Sequence, residues 1–259
     1  NAVEHADGVT LTGTGEVGAN VVITIAENGA TANAVVDADG NWSADFTADQ
    51  VSTGEYSTTV TVTSTDAYGN QATATAEMVV DTFTEVAITG NNSGADGIYN
   101  GAEVGNATVM NGTAQPGSSV VVTLTGENGQ TLGAQTVTAT SSGEWSAEFA
   151  GGTLPGGEYD ATVTAVATDA AGNTATSSST FPVDTVANVA ITGNNAGADG
   201  VYNNAEAATV AELSGTAQAG STVVVTLAGP TGQTLGTQTV TATSGGTWTV
   251  QYPSNTLPS

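Results

Sequence analysis

The segment Asn92-Ser-Gly-Ala-Asp96-Gly97-Ile-Tyr-Asn100-Gly-Ala-Glu103 lays Asn92, Asp96, Gly97, Asn100 and Glu103 on positions 1, 5, 6, 9 and 12 of a twelve-residue loop. That spacing suits calcium: several oxygens around one hard cation, a glycine where the chain turns sharply, and a closing carboxylate that can bind through both oxygens. Asn195, Asp199, Gly200, Asn203 and Glu206 repeat the pattern 103 residues later. The usual first Asp is Asn here, and position 3 is Gly94 or Gly197, so the charge count is low and no flanking helices are expected. The pattern predicts a calcium-supported loop in a β-domain rather than an EF-hand, with a plain Asn/Gly-rich turn as the competing reading.

A second acidic set lies in Asp66-Ala-Tyr-Gly-Asn70 and Asp169-Ala-Ala-Gly-Asn173, and a third in Val80-Asp81-Thr82 and Val183-Asp184-Thr185. Asp followed by Gly-Asn reads first as a turn in which the carboxylate caps its own backbone. In an immunoglobulin-like topology this turn falls at the pole where a domain begins, near the preceding linker Asp, so Asp169 is expected to meet Asp81. Carboxylates gathered there would repel one another unless a cation joined them.

The chain of 259 residues has no Lys or Arg, one His and 25 Asp or Glu, a formal charge of −25. No carboxylate can form a side-chain ion pair with Lys or Arg, and a divalent metal is the obvious counter-charge. The same balance argues against nucleic acid and anionic membrane surfaces, which are recognised through basic side chains. A halophile-like acidic surface is the bland alternative, but only 10% of residues are charged. Without Cys there are no disulfides or thiolate sites, and no apolar run approaches the roughly 18 residues of a membrane span. His5 has no counterpart in the other repeats, so a catalytic triad or His metal site has no support, and a non-catalytic role is expected.

These residues must be positioned by repeated β-domains. Trp42, Trp145 and Trp248 recur every 103 residues, and the blocks around them travel along, which argues duplication of one small domain. Short β-branched runs at Asn20–Ile25, Ser119–Leu124 and Thr222–Leu227, and longer alternation in 56–65 and 159–168, read as strands. No segment shows a helical period. About seven strands per repeat, divided by Gly-rich turns, predict tandem immunoglobulin-like β-sandwiches with each Trp a core anchor. The repeat junctions place the domains at 1–81, 82–184 and 185–259. The first and last are expected to be incomplete at their outer ends, as in a fragment of a longer protein. Short linkers predict a thin rod.

The Val-Asp-Thr junctions, the Asp-Ala-x-Gly-Asn turns, the Ala-Asp-Gly-x-Tyr-Asn-x-Ala-Glu loops and the Gly-Thr-Ala-x-x-Gly-Ser segments at Gly112 and Gly215 together resemble the bacterial immunoglobulin-like repeats of giant repeats-in-toxin adhesins. Two departures stand out: Thr82-Phe83-Thr84 and Thr185-Val186-Ala187 replace the usual Thr-Ala-Pro, and Lys is absent. The resemblance implies extender domains that project an adhesive tip from a bacterial surface after type I secretion, in settings such as biofilm, stiffened by Ca2+ at the junctions. The expected metal-ligating residues are Asp66, Asp81, Asn92, Asp96, Asn100, Glu103, Asp169, Asp184, Asn195, Asp199, Asn203 and Glu206. The expected partners are neighbouring repeats, with lateral or end-to-end self-association if the chain is instead a subunit of an extracellular filament or surface layer. A third reading, weak glycan binding, needs an exposed aromatic row, for which Tyr99 and Tyr202 are the repeated candidates.

Overall fold

The computed structural model describes residues 1–257 and forms two compact units, Asn1–Thr185 and Val186–Ser259. In the first unit, strands β1 (Val9–Thr14), β2 (Asn20–Ile25), β3 (Thr31–Val35), β4 (Asn41–Phe46), β5 (Glu55–Thr65) and β6 (Gln71–Asp81) make one sandwich. Its two sheets run β1-β4 and β3-β2-β5-β6. Strands β7 (Val86–Asn91), β8 (Thr108–Ala114), β9 (Ser119–Thr125), β10 (Thr131–Thr138), β11 (Glu144–Phe149), β12 (Glu158–Thr168) and β13 (Thr174–Asp184) make the second. Here the sheets run β11-β8-β7 and β10-β9-β12-β13, all pairs antiparallel. The seven-strand expectation is met in this sandwich.

The second unit contains β14 (Val189–Asn194), β15 (Ala211–Ala217), β16 (Thr222–Ala228), β17 (Thr234–Thr241) and β18 (Thr247–Tyr252), in sheets β14-β15-β18 and β16-β17. Each sandwich has its own apolar core. The alternation legible in the sequence sets the faces: in β9, Val120, Val122 and Leu124 are fully buried while Ser119 and Val121 face out.

The three Trp residues anchor the cores, and the register explains the recurring Gly-Thr. Gly13, Gly112 and Gly215 stand directly across from Trp42, Trp145 and Trp248. Each indole lies over its glycine: a Cβ on Gly112 would meet Trp145 Cζ2 at 2.2 Å and Ala87 O at 2.0 Å. The following Thr carbonyl accepts the indole N–H in two repeats, Trp145 to Thr113 O and Trp248 to Thr216 O, both 3.1 Å.

The sequence shows no helical period, and among the described residues helix is confined to short turns. Single-turn helices α1 (Ala2–Ala6) and α2 (Asn204–Ala207) open with capping boxes. The caps are Asn1 with Glu4 and Asn203 with Glu206, each Asn oxygen accepting two backbone N–H groups while the Glu reaches back. One turn is too short to leave a period in the sequence, and the cap alone specifies it.

Candidate cation loops and the domain junction

The loop from Asn92 to Glu103 is braced from within. Asn92 Oδ1 accepts from Tyr99 Oη (2.7 Å) and Val109 N (2.8 Å), while its Nδ2 donates to Ala107 O (2.8 Å). Asn100 Oδ1 accepts from Ala102 N (3.0 Å) and Glu103 N (3.2 Å), and Glu103 Oε2 accepts from Asn100 N (2.9 Å), the same capping box as at α1 and α2. Two lone pairs per amide oxygen are thereby used, so positions 1 and 9 of the loop brace the backbone.

Asp96 and Glu103 are differently placed. A Cβ on Gly94, whose φ is +80°, would lie 2.9 Å from Glu103 Oε1 and 3.8 Å from Asp96 Oδ1. Two carboxylates thus converge over one glycine. In the second unit the same measurement at Gly197 gives 3.0 Å to Glu206 Oε1 and 3.9 Å to Asp199 Oδ1. Asn195 Oδ1 accepts from Tyr202 Oη and from Glu212 N, and Asn203 Oδ1 from Ala205 N and Glu206 N, repeating the brace. Among the described residues no group of three or more His, Cys, Asp or Glu side chains gathers around a metal-sized space.

Asp169 and Asp81 do come together, through Asn173. The Asp169 carboxylate caps its turn, accepting from Gly172 N and Asn173 N (both 2.8 Å). Asn173 Nδ2 donates to Asp169 Oδ2 (2.8 Å), Asp81 Oδ1 (2.9 Å) and Asp81 O (3.1 Å), and Asn173 Oδ1 accepts from Ala2 N (2.7 Å). Asn1 Nδ2 adds a bond to Ala171 O (3.1 Å). Burial opposes ionisation of Asp169, but the Asn173 side chain and the backbone N–H groups of 171–173 outweigh it and hold the carboxyl below its usual range. Asp66 makes the same turn with Asn70 Nδ2 (2.7 Å), Tyr68 N and Asn70 N, and those bonds likewise lower its pKa.

The Thr of each Val-Asp-Thr pins the chain at the end of its own sandwich. Thr82 N donates to Gly54 O (2.9 Å) and Gly54 N to Thr82 Oγ1 (2.8 Å); Thr185 and Gly157 repeat the pair at 2.8 Å each. Asp184 N donates to Tyr99 O (3.0 Å), tying that Asp's backbone to the loop of its own sandwich.

Sequence reasoning missed Asn173 as the hub, although it was visible as the last residue of a repeated turn. The glycan reading fails at Tyr99, which is fully buried against Phe181 with ring centroids 5.2 Å apart. Its hydroxyl pKa is pushed up to about 12, chiefly by burial. The Asn92 brace needs the phenol inside, so Tyr99 and Tyr202 are structural parts of the loops rather than a stacking row.

These features define a class, tandem immunoglobulin-like β-sandwiches joined without a free linker between the first two. Residues 1–81 match the family described as bacterial Ig domain, and residues 86–185 the family described as bacterial Ig-like domain. The chain belongs to the bacterial immunoglobulin-like repeats, the group its junction and turn motifs resemble. It matches no curated protein.

Among solved structures it is similar to a Ca2+-stabilised adhesin that helps an Antarctic bacterium reach out and bind ice. That match has 29% identity over 99% of this chain and 63% of the other, with a TM-score of 0.44. The chain thus spans under two thirds of that protein's structure. A 1.5-MDa bacterial ice-binding adhesin matches at 27% identity over 99% of this chain and 83% of the other, TM-score 0.46. An immunoglobulin-like domain of the M. primoryensis ice-binding adhesin matches at 32% identity over 38% of this chain and 95% of its own length, TM-score 0.28.

Proposed function

We propose that this chain is a non-catalytic extender region of a secreted or cell-surface bacterial adhesin, with domains at 1–81, 82–184 and 185–259. The junction around Asn173 carries the reading. A spacer must transmit distance, and a hub with 5% exposure that ties Asp81, Asp169 and Ala2 together removes the freedom a flexible linker would leave. In this reading the extracellular setting follows from the adhesin role, and neighbouring repeats of the same chain are the partners.

Calcium is the second element of the proposal. Asp96 with Glu103, and Asp199 with Glu206, converge in a chain that has no Lys or Arg to offset them, and their carboxylates are the best-placed ligands. A bound cation there would add oxygen-ligand bonds across the loop and remove repulsion between the two acids. The braces from Asn92, Asn100, Asn195 and Asn203 hold the loop backbone around it. Asp66, Asp81, Asp169 and Asp184 are the junction acids at which further cations would act.

Small-angle scattering and thermal unfolding of the whole chain, in excess Ca2+ and then in chelator, test this. Calcium at 100 times its Kd is expected to stabilise the chain by about 2.7 kcal/mol, and Asp96→Asn combined with Asp199→Asn to remove most of that gain. An unchanged shape and melting curve on chelation would overturn the calcium element. A flexible chain in both conditions would overturn the spacer.

A further inference from the structure

The chain enters and leaves the second sandwich on neighbouring strands that run the same way. β13 begins at the Asp169–Asn173 turn that holds Asp81, and β7 begins shortly after Asp81, so both strands lead away from the junction. β7 lies against β13, although the two belong to different sheets. Chain arriving at Val86 and departing at Asp184 is therefore attached at opposite ends of this sandwich. Tension between those two points slides β13 past β7 along the strand axis.

Tyr99, in the loop between β7 and β8, ties the departing strand down. Its N–H donates to Pro182 O and its carbonyl accepts from Asp184 N, both 3.0 Å, which makes an isolated parallel bridge at Val183. The side chain fastens the same point to the rest of the sandwich. Its ring is fully buried against Phe181, the residue before Pro182, with centroids 5.2 Å apart. Its hydroxyl donates to Asn92 Oδ1 (2.7 Å), which also accepts from Val109 N (2.8 Å). Asn92 directly follows β7 and Val109 lies in β8, so the last residues of β13 are held to both strands at once.

We propose that Tyr99 is a tension clamp, which stops β13 from sliding when the sandwich is pulled by its two ends. The bridge bonds lie across β13, so a pull along the strand loads both together instead of opening them one after the other. The ring must leave its place against Phe181 in the same step, and the bond to Asn92 must break with it. The core strands are still paired at that point, so resistance to pulling is set at Tyr99 and reads as an unfolding rate, separate from equilibrium stability. The purpose of the clamp rests on the extender reading, because a spacer is the part of an adhesin that is loaded end to end.

Single-molecule pulling of the whole chain by its ends reads the outcome. Unfolding of the second sandwich is recognised by its gain in length, about 3.5 Å for each residue released. Tyr99→Ala should raise its unfolding rate at fixed load by more than about tenfold. Leu124→Ala, at a fully buried position of β9 away from the bridge, should lower Tm at least as much yet raise that rate by less than about threefold. Where Tyr99→Ala does not fold by circular dichroism, Tyr99→Phe carries the test: it keeps the ring, loses only the bond to Asn92, and should raise the rate by more than about twofold. Hydrogen exchange without load should show the Tyr99 and Asp184 amides of the unmodified chain protected together. The proposal is overturned by a rate under load that the folded Tyr99 variant leaves unchanged, by an equal effect of Leu124→Ala, or by a freely exchanging Asp184 amide. Each of those results leaves the extender reading intact, because that reading is tested by shape in scattering.

Discussion

Replacing Asn173 with Ala removes the hub of the junction and nothing else of comparable size. Three acceptors lose their shared donor, namely Asp169 Oδ2, Asp81 Oδ1 and Asp81 O, and Ala2 N loses its acceptor at 2.7 Å. Hydrogen bonds to charged groups contribute about 1.5–3 kcal/mol each and neutral ones about 1 kcal/mol. Asp81 retains access to water, which discounts its share, whereas Asp169 is only 9% exposed and keeps most of the loss. The sum comes to about 2–4 kcal/mol, and for a unit of this size that corresponds to a fall in Tm of about 5–12 °C. Differential scanning calorimetry should also show the melting of the first two sandwiches separating, because their coupling runs through this residue. Asn70→Ala is the internal control: it breaks the same turn where the Asn is exposed among the described residues, and should lower Tm by less than a third as much. Equal losses from the two variants, or a fall under about 2 °C for Asn173→Ala, would refute the assignment of Asn173 as the junction hub.

Acid weakens the same contact. The Asp169 pKa is lowered on folding from its ordinary 3.8, so its stabilisation is fully present above that value and is lost as pH falls through the lower folded value; Tm measured between pH 6 and 2 should drop below about 3.8, and Asp169→Asn should flatten that drop. Asn173→Asp sets a third carboxylate beside Asp81 and Asp169, so it should destabilise in chelator and recover in Ca2+ by more than the unmodified chain does, read as the difference in Tm; an unaltered calcium response would rule out a cation at this junction. Gly112→Val forces a side chain against Ala87 O and the Trp145 ring and should cost more than about 3 kcal/mol, whereas Gly117→Ala, at φ +83° with open space around it, should cost about 1 kcal/mol through its backbone alone. Chemical denaturation of the two variants compares them directly.

The strands were legible because their alternation is a local property: Asn20–Ile25 and Glu158–Thr168 alternate in the sequence as they do in the sheets. The glycine opposite each Trp was visible only as a recurring Gly-Thr, since its reason lies in cross-strand register, which no single segment carries. The loop ligands divide in the same way. Asp96 and Glu103 both flank Gly94, whereas Asn92 and Asn100 are engaged by Tyr99, Val109 and the capping turn, and those bonds depend on how the loop closes. Tyr99 looked like a surface aromatic because it sits among polar loop residues. Its burial is against Phe181, 82 residues further along the sequence.

The two Asp-Ala-x-Gly-Asn turns show why position in the array, rather than the motif, decides function. Both close the last hairpin of a sandwich, both cap the backbone through the Asp carboxylate, and both bring the Asn amide onto that carboxylate. In one, Asn70 is exposed; in the other, Asn173 is buried because Asn1, Ala2 and Asp81 of the preceding sandwich close over it. The turn is therefore a socket that is complete before it is occupied, preorganised by its own Asp, and the entropy of ordering it is met within one domain. A neighbour needs only an Asn-headed helical turn and a Val-Asp-Thr terminus to fill it, and the capping boxes at Asn100 and Asn203 show the first of these repeated along the chain. Duplication of one domain thus propagates plug and socket together, which is how a single small fold can extend a structure by copying itself.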